Sequence, residues 1–433
     1  MSERLLQRSG PPASVVIRGA RLLDPAAGID EVDDIVIRDG VIGGNSDGLA
    51  VIDGTGCVVT PGFVDPHVHL RTPGREDCED IGSGSRSAAA GGYVAILGMP
   101  NTTPVVDSAS ILESLRRQAA AEAVIPTGFY ASITVGLMGE ALTEQAELAR
   151  LGAAGFTDDG RPVWNAQVFR RALQYQRLHG LPLVLHEEDR ELSGAGVVHE
   201  GAVASRLGLE AIPAVSESIA VGRDCALAQY ESATIHICHV SAWQTVEEVR
   251  RWKALGVSVT AEVTPHHLVL TDADIEPDID PARHKMNPPL RSSRDRESLI
   301  AALIDGTLDC VATDHAPHAA NEKDAPFEDA PFGVTGLETA FAVLYTDLVQ
   351  PGTLDLQLLV RRMSTDAARV VGLDPPTLAD GAVANLALID LDARSTVGEN
   401  GYQSKSTNNA FTGRELSGVV RTTIAGGQMA WQR

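Results

Sequence analysis

His67 and His69 stand two residues apart at the end of an apolar run from Cys57 to Val64. In a β-strand, residues i and i+2 face the same side. Both imidazoles can therefore point at one metal ion. Alone the pair says little, because His-X-His also arises by chance. Further candidate ligands recur along the chain: the pair Asp158-Asp159, His186, His239 and Asp314. Four imidazoles and two carboxylates suit two divalent ions, with zinc favoured by neutral imidazole and a carboxylate able to bridge. Two such ions about 3.5–4 Å apart can hold a hydroxide between them. Asp314 is then placed to take its proton as general base and to protonate a leaving nitrogen. Metal-assisted hydrolysis is the leading reaction class. The residues alone leave Asp158 and Asp159 nearly equal as the bridge.

These candidates share one position: each ends a predicted strand. The strands read Val58–Val64, Tyr93–Met99, Thr127–Ile133, Ala154–Thr157, Leu183–His186, Thr234–His239, Val257–Val263 and Leu308–Thr313. Amphipathic stretches lie between them, at Ser108–Ala121, Val168–His179, Ser216–Tyr230, Thr245–Leu255 and Ser293–Ile304. The alternation predicts an α/β fold, a parallel (β/α)8 TIM-like barrel, whose strand ends converge on one site. The barrel is expected over residues 61–372. Residues 1–60 and 373–433 carry alternating β-type runs, such as Val15–Arg18, Asp34–Ile37, Leu386–Ile389 and Gly418–Ile424. They are expected to join into one small flanking β-sandwich domain built from both termini. Glu399–Gly413, rich in Asn, Ser, Thr and Gly, reads as a loop.

Composition narrows the function. The 433 residues are 44% hydrophobic, enough for a large core. No apolar run reaches the roughly twenty residues of a membrane helix, and Met1–Ala13 lacks a signal-peptide core. A cytoplasmic location is the expectation. The five cysteines, 57, 78, 225, 238 and 310, are scattered without C-x-x-C spacing and read as free thiols. Fifty-eight acids against 35 bases give a formal charge of −23, which disfavours nucleic acid and anionic membranes as partners. An anionic small substrate requires local arginines. Only Lys253, Lys285, Lys323 and Lys405 are lysines.

Several segments together resemble the amidohydrolase superfamily, and within it the class I dihydroorotases. They are Pro61–Arg71, Met99-Pro100-Asn101-Thr102, Phe156-Thr157-Asp158-Asp159-Gly160, His239-Val240-Ser241, Asn287-Pro288-Pro289-Leu290-Arg291 and Ala312–His318. The likeness spans nearly the whole chain. It implies reversible interconversion of L-dihydroorotate and N-carbamoyl-L-aspartate in de novo pyrimidine biosynthesis, with two divalent ions, most simply Zn2+. By resemblance His67, His69, Asp159 and Asp314 hold one ion, and Asp159, His186 and His239 hold the other, with Asp314 as catalytic acid/base. Arg71, Asn101 and His318 match contacts to a substrate carboxylate, whose forked partner Arg71 would be. His69, Asn287, Phe332 and Gly333 complete the implied substrate contacts. Sister hydantoinases and allantoinases usually bridge their metals with a carbamylated lysine after strand four, and no lysine lies there. Such a cyclic amidase with an unusual bridge is the first rival reading. The second is a non-catalytic barrel that binds aspartate carbamoyltransferase. Association with that enzyme and a homodimer are the partner arrangements the resemblance allows. One departure concerns Thr72, where the family usually has an acid. Glu76, Asp77, Glu79 and Asp80 are expected to compensate in supporting Arg71.

The remaining histidines have plainer readings. His236, three residues before His239, faces the other way and is expected in the core. His266 and His267 are adjacent, diverge, and are expected to shape the rim. His315 is expected to orient its loop. His179, His199 and His284 read as local hydrogen-bonding groups. Glu187, Glu188 and Asp189 read as a solvated loop with one hydrogen bond to His186. Gly91-Gly92 and Gly426-Gly427 read as turns.

Overall fold

The computed structural model describes residues 3–275 and 281–433. Eight parallel positions close into a barrel. In chain order they are Phe63–Val68, Tyr93–Gly98, Thr127–Phe129, Phe156, Leu183–Leu185, Ile235–Ile237, Val259–Val263 and Cys310–Val311. Continuous ladders join the first three and the last four. Single parallel bridges complete the ring: Ala131 to Phe156, Phe156 to Leu183, and Val68 to His315.

Two predicted strands differ from expectation. Ala154–Thr157 forms no regular strand. Phe156 N donates to Pro182 O at 3.0 Å and Thr157 N to Ala131 O at 3.0 Å. The segment is thus bonded on both sides but turns away after one bridge, into the Asp158-Asp159 corner. The run Val58–Val64 is two strands. Val58–Pro61 pairs with Leu386–Thr396 and Val15–Asp24, whereas Phe63–Val68 enters the barrel. The change of sheet falls at Gly62, where an added Cβ would lie 2.1 Å from Val94 Cγ1. Only glycine allows that approach.

Both ends of the chain meet in one eight-stranded sheet. Its order is Gln428–Gln432, Glu415–Ala425, Leu386–Thr396, Val58–Pro61, Val15–Asp24, Ile29–Arg38, Val41–Ile42, with Ala50–Asp53 beside Val15–Asp24. Val15 pairs with Ile37 in an antiparallel register that runs through the predicted alternation. A separate small core of Ile17, Ile37, Val59, Leu386, Leu388 and Ile424 lies under this sheet. Glu399–Gly413 contains neither helix nor strand, as its composition predicts.

Helices pack on the outside of the barrel. In Ala166–His179 the buried residues are Val168, Phe169, Ala172, Leu173 and Gln176, the spacing of one helical face. Asn165 caps its start, and Gly180 ends it in the left-handed conformation. All five cysteines are buried and unpaired. Among the described residues no helix is long and apolar enough to cross a membrane.

Candidate metal centre and active site

The six predicted ligands converge at the C-terminal mouth of the barrel. His67 Nε2 lies 3.6 Å from Asp159 Oδ1 and 3.4 Å from Asp314 Oδ1. His69 Nε2 is 3.0 Å from Asp314 Oδ1 and 3.6 Å from Asp159 Oδ2. His186 Nδ1 stands 3.0 Å from His239 Nε2 and 3.9 Å from Asp159 Oδ1. Donor atoms of His67, Asp159 and His239 fall within 4.8 Å of one another, as do those of His67, His69 and Asp314. The Asp158 side chain is turned away and accepts from Thr134 N at 3.0 Å and from Thr134 Oγ1. Of the two neighbouring acids, Asp159 faces the imidazoles.

Three imidazoles have an acceptor behind them. His67 Nδ1 donates to Glu262 Oε1 at 2.8 Å, His69 Nδ1 to Asn101 Oδ1 at 3.0 Å, and His186 Nε2 to Glu188 Oε2 at 3.1 Å. With the imidazole neutral, each bond would fix a tautomer and turn the lone pair of the other nitrogen toward the cluster. His67 Nε2 is buried and has no hydrogen-bond partner. Such an orphan is costly unless something coordinates it. The donor set of four imidazoles and two carboxylates fits divalent transition ions.

The electrostatics agree with ionised carboxylates. Burial alone raises the Asp314 carboxyl, but His67 and the hydrogen bond from His69 outweigh it and hold the group far below the usual carboxylate range. Burial, with His186 and His67 nearby, pushes His239 down to about 3, so its imidazole is neutral. Arg71, His239 and Asp314 have φ values of 56°, 32° and 48°. These left-handed conformations are sparsely populated by side-chain-bearing residues.

A cavity of about 460 Å³ opens over the cluster, lined in part by His69, Arg71, Asn101, Asn287, Phe332 and Gly333. Arg71 Nε donates to Pro317 O at 2.9 Å. The four acids expected to support it are engaged elsewhere. Glu76 accepts from Gly74 N, Asp77 pairs with Arg75, Glu79 meets His315, and Asp80 pairs with Lys405. Among the described residues no carboxylate forms an ion pair with Arg71. The compensation expected for Thr72 is therefore a carbonyl, Pro317 O. Asn101 uses its amide within the cluster, since Nδ2 donates to Asp159 Oδ2 at 2.7 Å. Asn287 Nδ2 donates to Glu188 Oε2 at 3.3 Å. His318 stands behind the cavity wall, its Nε2 donating to Phe332 O at 2.7 Å.

Other histidines follow their plainer readings. His236 is fully buried between Thr260 and Glu262. His267 bonds Thr264 Oγ1 and Pro288 O, with the His266 ring centroid 4.5 Å from its own. His315 Nδ1 accepts from Gly336 N at 3.2 Å. The solvated-loop reading after His186 needs correction. Glu187 is 3% exposed, and burial together with Asp224 pushes its carboxyl well above the usual range. Asp189 caps the short helix Arg190–Ser193 instead. The cause is the helix Val215–Glu231, which packs over this corner and excludes water.

Two supporting acids escaped the sequence reading. Glu262, fully buried, bridges His67 and His236. Its signal is a lone acid inside the apolar strand Val259–Val263. Asp65, also fully buried, accepts from His67 N and from Thr313 Oγ1 at 2.6 Å. It ties the first barrel strand to the eighth, and burial pushes it up to about 7.

The closed barrel, its flanking sheet and a mouth of imidazoles and aspartates define an amidohydrolase-type barrel. Solved structures share this fold over nearly their whole length. L-hydantoinase (dihydropyrimidinase) from Arthrobacter aurescens aligns with TM-score 0.84 and 25% identity, covering 97% of this chain and 96% of that one. Dihydropyrimidinase from Brevibacillus agri NCHU1002 aligns with TM-score 0.84 and 24% identity over 97% and 95%. The Dihydro-orotase-like family matches residues 56–245. A dihydroorotase from Anaeromyxobacter dehalogenans (strain 2CP-1) is 46% identical over 419 residues, 95% of this chain and 96% of its own. One from Geobacter sp. (strain M21) is 44% identical over 425 residues, 97% and 99% respectively. The chain belongs to the dihydroorotase family.

Proposed function

We propose that this chain is a dihydroorotase that interconverts L-dihydroorotate and N-carbamoyl-L-aspartate in cytoplasmic pyrimidine synthesis. The observation that carries the reading is Arg71: a guanidinium with no carboxylate partner among the described residues, lining the cavity above six converging candidate ligands. A substrate carboxylate is the natural counter-ion. His67, His69, Asp159 and Asp314 would hold one divalent ion, and Asp159, His186 and His239 a second, with zinc first among candidates. When bound, such ions ionise water near neutral pH and polarise a carbonyl oxygen.

The residues of the chain do the rest. Arg71 fixes the α-carboxylate, while Asn287, Phe332 and Gly333 line the cavity around the ring. Asn101 and His318 would join Arg71 at that carboxylate, and they also hold His69 and Phe332. Water adds to the ring amide carbon, and the C–N bond breaks. Asp314, held ionised by its imidazoles, takes the proton of the attacking water and delivers it to the leaving nitrogen. Ring closure runs through the same groups in reverse.

Lysine chemistry supports this branch over its sisters. Lys285 Nζ donates to Phe327 O and Glu328 O, and Lys323 Nζ to Pro331 O and Gly333 O, so both are engaged away from the metal cluster. Asp159, which faces the imidazoles, would serve both ions in place of a lysine. Side-by-side turnover of dihydroorotate, allantoin and hydantoin tests the reading. Dihydroorotate should dominate; brisk hydantoin turnover with none of dihydroorotate rejects it.

A further inference from the structure

The loop between Leu386–Thr396 and Glu415–Ala425 leaves the flanking sheet and reaches the barrel mouth. Asn408, 5% exposed, ends there. Its Nδ2 donates to Ala316 O at 3.2 Å and to Gly333 O at 3.0 Å. Its Oδ1 accepts from His318 N at 3.3 Å and from Ser406 Oγ. Ser406 Oγ also lies 2.7 Å from His318 O. These two side chains thus hold the backbone on both sides of Pro317, and Pro317 O is the acceptor that aims Arg71. The same Asn408 amide holds Gly333, where the wall passes close to Ala316 and His318.

We propose that Asn408 is a positioning residue for substrate binding: through Ala316, His318 and Gly333 it sets the Pro317 carbonyl that orients Arg71. A small polar residue on a segment remote in sequence thereby tunes affinity without touching substrate or any predicted metal ligand. Two buried side-chain donors on two strained or crowded backbone segments leave little freedom once formed. Their loss frees the wall to move, and positioning errors on the scale of an ångström weaken recognition sharply.

Asn409 supplies an internal control. It is 1% exposed and also makes two donor contacts, to Thr335 O at 3.1 Å and Thr339 Oγ1 at 3.1 Å. Neither partner lines the cavity. Removing it disturbs the same loop but spares the Pro317 carbonyl.

The test compares Asn408→Ala, Asn409→Ala and the milder Ser406→Ala in the full-length protein. Because the KM arm rests on the proposed activity, wild-type turnover of dihydroorotate is recorded first, and its absence rejects that activity alone. Asn408→Ala should raise KM about tenfold with kcat within about twofold and metal content unchanged. Ser406→Ala should shift KM the same way but less, and it serves if Asn408→Ala does not fold. Asn409→Ala should lower thermal stability to a similar extent without moving KM. Amide hydrogen exchange gives a readout independent of activity: Ala316, His318 and Val334 should lose protection in Asn408→Ala and not in Asn409→Ala. Equal KM shifts and equal exchange in both Asn variants, or a fall in kcat with KM unchanged, overturn the proposal.

Discussion

Glu262 Oε1 lies 2.8 Å from His67 Nδ1, and both side chains are fully buried. The pair turns His67 Nε2 toward Asp159 and Asp314. Glu262 also holds His236, so its ionised carboxylate is satisfied on both oxygens. Burial raises this group, and the two imidazoles bring it down to about 2. Glu262→Gln keeps the shape and loses the charge. Metal affinity, read as ions retained after dialysis against a graded chelator, should fall about 10–100-fold. Retention equal to wild type removes Glu262 from the centre.

Arg71 is held by a carbonyl rather than by an acid, so its charge remains available to a ligand. Arg71→Met should lower kcat/KM for dihydroorotate by about a hundredfold or more, mostly through KM. Arg71→Lys should recover little, because an ammonium cannot reproduce the forked geometry. Full recovery by lysine contradicts a bidentate contact.

Gly333 has φ of 127°, and an added Cβ would meet Ala316 Cβ at 2.7 Å and His318 Nε2 at 3.0 Å. Both backbone and space resist a side chain. Gly333→Ala should cost about 1–3 kcal/mol in denaturant unfolding and raise KM. An unchanged unfolding midpoint and KM contradict the tight wall.

Asp158 reports on pH. Burial raises its carboxyl from 3.8 to about 6 despite the hydrogen bonds from Thr134. The folded state therefore binds this proton more tightly than the unfolded chain. That stabilisation is complete below about pH 4 and is lost as pH rises through about 6. Asp158→Asn stays neutral and escapes the loss. With both proteins metal-free, the variant should gain on wild type between pH 4 and 6.5, by at most ~3 kcal/mol. Parallel stability curves contradict a buried carboxyl at this position.

The convergence of the candidate ligands is legible because strand ends carry them. His67 and His69 announce a strand by their spacing, and His186, His239 and Asp314 each close an apolar run. Physical reasoning alone does not choose between Asp158 and Asp159; the corner after Phe156 turns Asp158 onto Thr134 and leaves Asp159 facing the imidazoles. Glu262 and Asp65 were missed because a buried acid in a strand resembles a surface position until its partners are known. The support of Arg71 was misplaced for a similar reason. Glu76 and Asp77 bond within their own turn and Glu79 and Asp80 reach His315 and Lys405, whereas the acceptor of Arg71 is 246 positions away. The exposed reading of Glu187 failed because a helix some thirty residues later covers it. The parts that escaped notice depend on long-range packing, which local pattern does not encode.

The most direct test is ring closure of N-carbamoyl-L-aspartate by the purified chain, with a metal count on the same sample. Dihydroorotate should form at neutral to mildly acidic pH with up to two divalent ions per chain. Activity should vanish on chelation and return with zinc or cobalt. A folded protein that carries its metal and forms no dihydroorotate, or one that keeps full activity after its ions are stripped, contradicts the proposed chemistry.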